Sequence, residues 1–84
     1  IPPLTEQRRK ELVKSAKATT EQSRVAIRNI RRDGLEDLKK QQTAGGVPED
    51  LIKKEEDELQ KLTDSYIAQI GKVLEEKEKE IMEV

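Results

Sequence analysis

Four arginines, Arg24, Arg28, Arg31 and Arg32, stand close together in the stretch RVAIRNIRRDG. A guanidinium keeps its charge at any physiological pH, grips phosphate through paired N–H donors and stacks on bases. Arginine at this density therefore suits holding a polyanion rather than making or breaking bonds. On a helix, at about 100° per residue, Lys10, Lys14, Lys17, Arg24, Arg28, Arg31 and Arg32 share an arc of roughly 100°. Arg24, Arg28 and Arg31 then occupy successive turns of one face, where like charges repel unless an anion lies against them. Glu21, Asp33 and Glu36 are the acids near enough in sequence to relieve them. The single aromatic residue, Tyr66, is not interleaved with the basic run. That excludes a base-stacking platform and leaves phosphates, sugars and shape as what such a face would read in RNA. The same pattern also describes a solvated face paired with an acidic neighbouring helix, and the residues alone leave both readings standing.

Catalytic chemistry has little to work with. The chain holds no Cys and no His, which removes thiol nucleophiles, the imidazole base and the usual ligands of zinc, copper and haem iron. Carboxylates are plentiful, as in Glu55-Glu56-Asp57-Glu58. Nothing in the pattern supplies an enclosed pocket to raise a carboxylate pKa, or a loop where oxygens converge on a hard cation, so the run is expected to be a wet helix face. We therefore expect no catalytic residues, no metal site, no cofactor and no small-molecule substrate. No apolar run approaches the roughly 20 residues of a membrane span, and no signal-peptide pattern is present. The chain begins Ile1-Pro2-Pro3 and is expected to be a piece of a longer protein.

The elements that must carry the basic face are two helices. Pro2 and Pro3 hold the start extended, Thr5 can cap a helix through its hydroxyl, and Glu6 follows in the first turn, where the helix dipole favours an acid. No proline interrupts the chain again until Pro48, and Thr43-Ala44-Gly45-Gly46-Val47 carries the only glycine pair. This spacing predicts a helix over about 6–42, a link at 43–47, and a second helix over about 48–83 opened by Pro48, Glu49 and Asp50. A link that short makes the pair antiparallel. The fold class is thus all-α, a long antiparallel helical hairpin.

In the first helix Leu12, Ala16, Thr19, Ser23, Ile27, Ile30, Gly34 and Leu38 trace one stripe in steps of three and four. In the second, Ile52, Leu59, Leu62, Tyr66, Ile70, Val73, Ile81 and Val84 do the same, with Ile67 and Leu74 as a neighbouring line that widens the face. Two helices facing only each other need a narrow stripe, so the width predicts a third helix from outside this sequence. A second copy, making a four-helix dimer, is the alternative. Gly34 and Gly71 mark places where a kink or a close helix contact could sit.

Of 84 residues, 42% are charged and 32% hydrophobic, yet the net charge is only -1. The high charge raises disorder as an alternative, while the low net charge and abundance of Glu, Lys, Gln, Leu and Ala favour helices. The near-neutral total hides a segregation. Residues 1–42 hold 11 basic and 6 acidic residues, a net of +5, and residues 43–84 hold 6 and 12, a net of -6. Attraction between the two halves accounts for part of this at a few tenths of a kcal/mol per exposed pair, so segregation alone does not imply a partner.

Four pieces of the chain, PPLTEQRRKEL, RVAIRNIRRDG, LQKLTDSYIAQI and KEKEIMEV, together resemble ribosome recycling factor. That resemblance implies an L-shaped protein with a three-helix bundle and a small β-rich domain inserted after the first bundle helix. Residues 1–84 would be part of the bundle domain, with the N-terminal helix and the insert not represented. It further implies action after termination, in which the protein binds the large ribosomal subunit and, with elongation factor G, promotes splitting of the ribosome into subunits. The implied contacts with large-subunit ribosomal RNA fall on Arg9, Arg28 and Arg31, with Arg24, Asn29 and Arg32 as motif neighbours and Lys10, Lys14 and Lys17 as additional basic contacts. The implied setting is the bacterial cytoplasm or an organelle. Opposed to this stands a structural hairpin or oligomerisation module with no RNA partner.

Overall fold

A computed structural model describes residues 5–83, so the expectations placed on Pro2, Pro3 and Val84 lie outside the described residues. The chain forms two α-helices, α1 over Glu6–Ala44 and α2 over Glu49–Glu83, and no strand among the described residues. They make an all-α antiparallel hairpin measuring 65 × 15 × 15 Å. Thr5 caps α1 from an extended backbone, and its Oγ1 accepts from the Arg8 amide at 3.0 Å, which satisfies one of the N–H groups a helix start leaves without a partner.

The link reverses the chain in four residues. Gly45 has φ 81° and ψ 177°, a conformation open almost only to glycine, and Gly46 follows at φ 83°. Pro48 stands one residue ahead of α2, where its carbonyl accepts from the Leu51 and Ile52 amides at 3.1 and 3.2 Å. It acts as the residue before the helix rather than as its first helical position.

Only two apolar side chains, Leu38 and Ile52, are buried among the described residues, one on each helix within two turns of the link. At roughly 1.5–3 kcal/mol for each fully buried side chain, this core is thin. The rest of the seam is half-buried. On α1 it follows Val13, Ala16, Thr20, Arg24, Ile27, Arg31 and Gly34, and on α2 it follows Glu56, Leu59, Ile67, Ile70 and Leu74, with Thr63 buried among them. Thr63, 5% exposed, satisfies its hydroxyl on the Leu59 carbonyl at 2.8 Å. Gly34 is a close helix contact, since a Cβ built there would lie 2.9 Å from Leu59 Cδ2.

Most of the stripes expected from sequence lie in the seam, with Ala16, Ile27, Gly34 and Leu38 on α1 and Ile52, Leu59 and Ile70 on α2, but part of them does not. Ile67 and Leu74, expected as the outer line, pack in the seam, whereas Leu62, Tyr66 and Val73 are half or more exposed. On α1 Ile30 is 68% exposed and Thr19 is exposed too. These residues sit on one flank of the hairpin as an open apolar strip. Two shallow grooves follow it, one lined by Thr19, Ser23, Tyr66, Ile70 and Val73, the other by Ile27, Ile30, Arg31, Leu59, Leu62 and Tyr66. Thr20, Thr63 and the stems of Arg24 and Arg31 share the seam with the aliphatic groups.

Candidate nucleic-acid interface

The flank opposite the apolar strip carries the basic residues. The continuous helix α1 holds Arg24, Arg28 and Arg31 on successive turns, at a rise of about 1.5 Å per residue. Their environments differ. Arg24 is drawn inward, its side chain 25% exposed, with Nη1 on Glu21 Oε2 at 3.4 Å. Its other Nη lies 3.9 Å from where a Cβ on Gly71 would stand, so this guanidinium reaches α2 beside Gly71 at ordinary contact distance. Arg28 is 47% exposed and reaches the second oxygen of Glu21 at 3.8 Å, a long contact worth well under 1 kcal/mol in solvent. Glu21 thus serves as a shared counter-ion to two arginines.

Arg31 is held most firmly. Its Nη1 donates to Gln60 Oε1 at 3.1 Å, and Gln60 Nε2 donates to Asp64 Oδ1 at 2.9 Å. Its Nε is buried with no hydrogen-bond partner. Asn29 and Arg32 are exposed on the turns beside these three. Lys10, Lys14 and Lys17 are exposed as well and frame a shallow cleft floored by Val13 and Met82, with Lys10 also 3.6 Å from Glu6. They extend the basic strip toward the start of α1.

Arg9 stands apart. It lies 19 residues before Arg28, about 30 Å along the helix, and its Nη1 donates to the Ile81 carbonyl in the last turn of α2 at 2.8 Å. That turn carries no basic residue of its own. Arg9 supplies from α1 the cation that a helix C-terminus favours, binding a carbonyl the helix leaves without an internal partner. The structure gives this residue a fastening role between the two helices, separate from the arginine cluster.

Glu21 is one of the acids the sequence placed near the arginines, whereas sequence reasoning missed Gln60 and Asp64 as partners of Arg31. The last two sit four residues apart within LQKLTD, a piece that had drawn notice only for the resemblance it carries. Among the described residues no group of three or more His, Cys, Asp or Glu side chains converges as a metal site, and no helix is long and apolar enough to cross a membrane. Chemically the flank offers fixed and semi-mobile guanidinium donors spaced along a straight rod, an arrangement that can follow a phosphate backbone.

The family model described as ribosome recycling factor matches residues 1–82. Curated proteins named ribosome-recycling factor are similar over essentially the whole chain. That of Treponema denticola is 63% identical over 83 residues, which is 99% of this chain and 45% of the relative. Those of Oleidesulfovibrio alaskensis and Halalkalibacterium halodurans are 58% and 55% identical over 84 residues, all of this chain and 46% and 45% of the relatives. The chain spans about half the length of the curated relatives it matches. With a model match over nearly every residue and the arginine-bearing hairpin in place, the chain belongs to the ribosome recycling factor family.

Proposed function

We propose that this chain is the helical part of a translation factor that binds the large ribosomal subunit and, with elongation factor G, splits the ribosome into subunits after termination. The observation that carries this reading is the presentation of Arg24, Arg28 and Arg31 on successive turns of one unbroken helix, bordered by Arg32, Asn29 and the Lys10, Lys14 and Lys17 strip. In this account Arg28 and Arg31 anchor the hairpin on ribosomal RNA so that elongation factor G can push against the rest of the molecule. The protein performs no bond chemistry of its own. Its place of work is the cytoplasm, in keeping with the bacterial relatives. The open strip of Ile30, Leu62, Tyr66 and Val73 supports residues 1–84 being part of a three-helix bundle whose third helix lies there.

Binding to large subunits as a function of salt tests the reading. Three phosphate contacts give a loss of roughly 20- to 40-fold in affinity between 50 and 200 mM monovalent salt, and removal of one arginine lowers the slope by about one. Arg28→Glu and Arg31→Glu should each weaken binding steeply. Affinity that is flat with salt, or unchanged in Arg31→Glu, sinks the phosphate account. The same exposed apolar strip favours one other reading, a hairpin that pairs with a second copy and has no RNA partner. Sedimentation separates the two, since co-migration with large subunits supports the first and a concentration-dependent dimer without ribosome association supports the second.

A further inference from the structure

Arg31 is unusual within the basic flank because two of its three nitrogens are already accounted for. Nε is buried without a partner, and Nη1 is committed to Gln60 Oε1 at 3.1 Å. The Gln60 amide has a defined orientation. An ionised carboxylate can only accept, so the Asp64 oxygen at 2.9 Å requires the NH2 group of Gln60 and turns Oε1 toward Arg31. Gln60 and Asp64 are one helical turn apart on α2, on the side facing the basic flank of α1. The chain Asp64–Gln60–Arg31 crosses the hairpin and restrains a side chain that would otherwise sample many rotamers.

Resting on the RNA-binding reading above, we propose that Gln60 and Asp64 are positioning residues that hold Arg31 ready for RNA. The guanidinium then meets a phosphate end-on through its Nη groups, because the Nε edge is closed inside the seam. Arg28 behaves differently. Among the described residues it is tied only by the long Glu21 contact at 3.8 Å, so it can turn to meet phosphate through either edge. Arg31 fixes where the helix sits, and Arg28 adapts. A restrained donor loses less freedom on binding than a loose one, so breaking the relay should lower affinity while Arg31 itself stays intact.

The test uses the 84-residue chain and its Gln60→Leu and Asp64→Asn variants. Large-subunit affinity is measured by co-sedimentation, thermal stability by circular dichroism, and the Arg31 Nε–H group by 15N NMR relaxation. Gln60→Leu should bind about 5- to 10-fold more weakly at an unchanged melting temperature, with Asp64→Asn in between and the Arg31 Nε–H more mobile in both. In an Arg31→Gln background Gln60→Leu should have no further effect, which a merely structural role for Gln60 would not produce. Wild-type affinity in Gln60→Leu, or an equal loss in the Arg31→Gln background, overturns the proposal. Failure of the wild-type chain to bind large subunits sinks the RNA reading instead, and Arg31 Nε–H mobility unaffected by Gln60→Leu then overturns positioning as well.

Discussion

Replacing Arg9 with Met keeps the aliphatic stem and deletes the guanidinium that donates to the Ile81 carbonyl at 2.8 Å. A hydrogen bond from a charged donor is worth roughly 1.5–3 kcal/mol, and a cation at a helix C-terminus adds about 0.3–1 kcal/mol. The contact is only partly buried, which places the expected loss near the lower end, about 2 kcal/mol. In a domain of this size that lowers the melting temperature by about 10 °C. The loss is large here because the buried apolar side chains among the described residues are two, Leu38 and Ile52, at the opposite end of the hairpin. Melting followed by circular dichroism, with Arg28→Gln as the comparison, reads the effect directly. Arg28 is exposed and its Glu21 contact is long, so Arg28→Gln should stay within about 0.5 kcal/mol of the parent chain. Arg9→Lys keeps a cation and one donor and should recover part of the loss. If Arg9→Met melts with the parent chain, the fastening of the helix ends by this residue is refuted.

Glu21→Gln removes the counter-ion shared by Arg24 and Arg28 and should tighten binding to large subunits about 3-fold, since each exposed pair it breaks is worth a few tenths of a kcal/mol. Unchanged or weaker binding in the same sedimentation titration contradicts a competition between Glu21 and phosphate. Two glycines should respond differently to alanine. Gly45→Ala forces a side chain into a backbone region nearly reserved for glycine and should cost about 1–3 kcal/mol in a melt. Gly34→Ala pushes against Leu59 Cδ2, the end of a flexible side chain, while gaining about 1 kcal/mol of helix propensity, so it should melt within about 1 kcal/mol of the parent chain.

Local chemistry made the ends of the helices readable. Thr5 caps α1 because a hydroxyl in extended backbone reaches an amide three residues on, and the Gly45-Gly46 pair marks the reversal because both take positive φ. Which edge of each apolar face is covered was not readable in the same way. An apolar face wider than one seam permits several choices of which sector meets the partner, and the choice fell on Ile67 and Leu74 rather than on Leu62, Tyr66 and Val73. Nor does spacing reveal that Arg24 and Arg31 lie along the seam, since helix patterns count a guanidinium as polar and overlook its apolar stem. Arg9 and Ile81 are 72 residues apart, so their contact exists only once the antiparallel register is set. The basic face itself was legible because charge on one helix needs only the helical period.

The two exposed features of the hairpin occupy opposite flanks, and Arg31 touches both. It belongs to the arginine cluster, and it also lines the groove formed by Ile27, Ile30, Leu59, Leu62 and Tyr66. An apolar helix laid on that groove removes water from the side of the seam where Arg31 Nε already lacks a partner. Arg28, exposed and tied only loosely to Glu21, lines neither groove. Arg31 is therefore the arginine through which a change at the apolar groove reaches the basic flank, since it borders that groove and Arg28 does not.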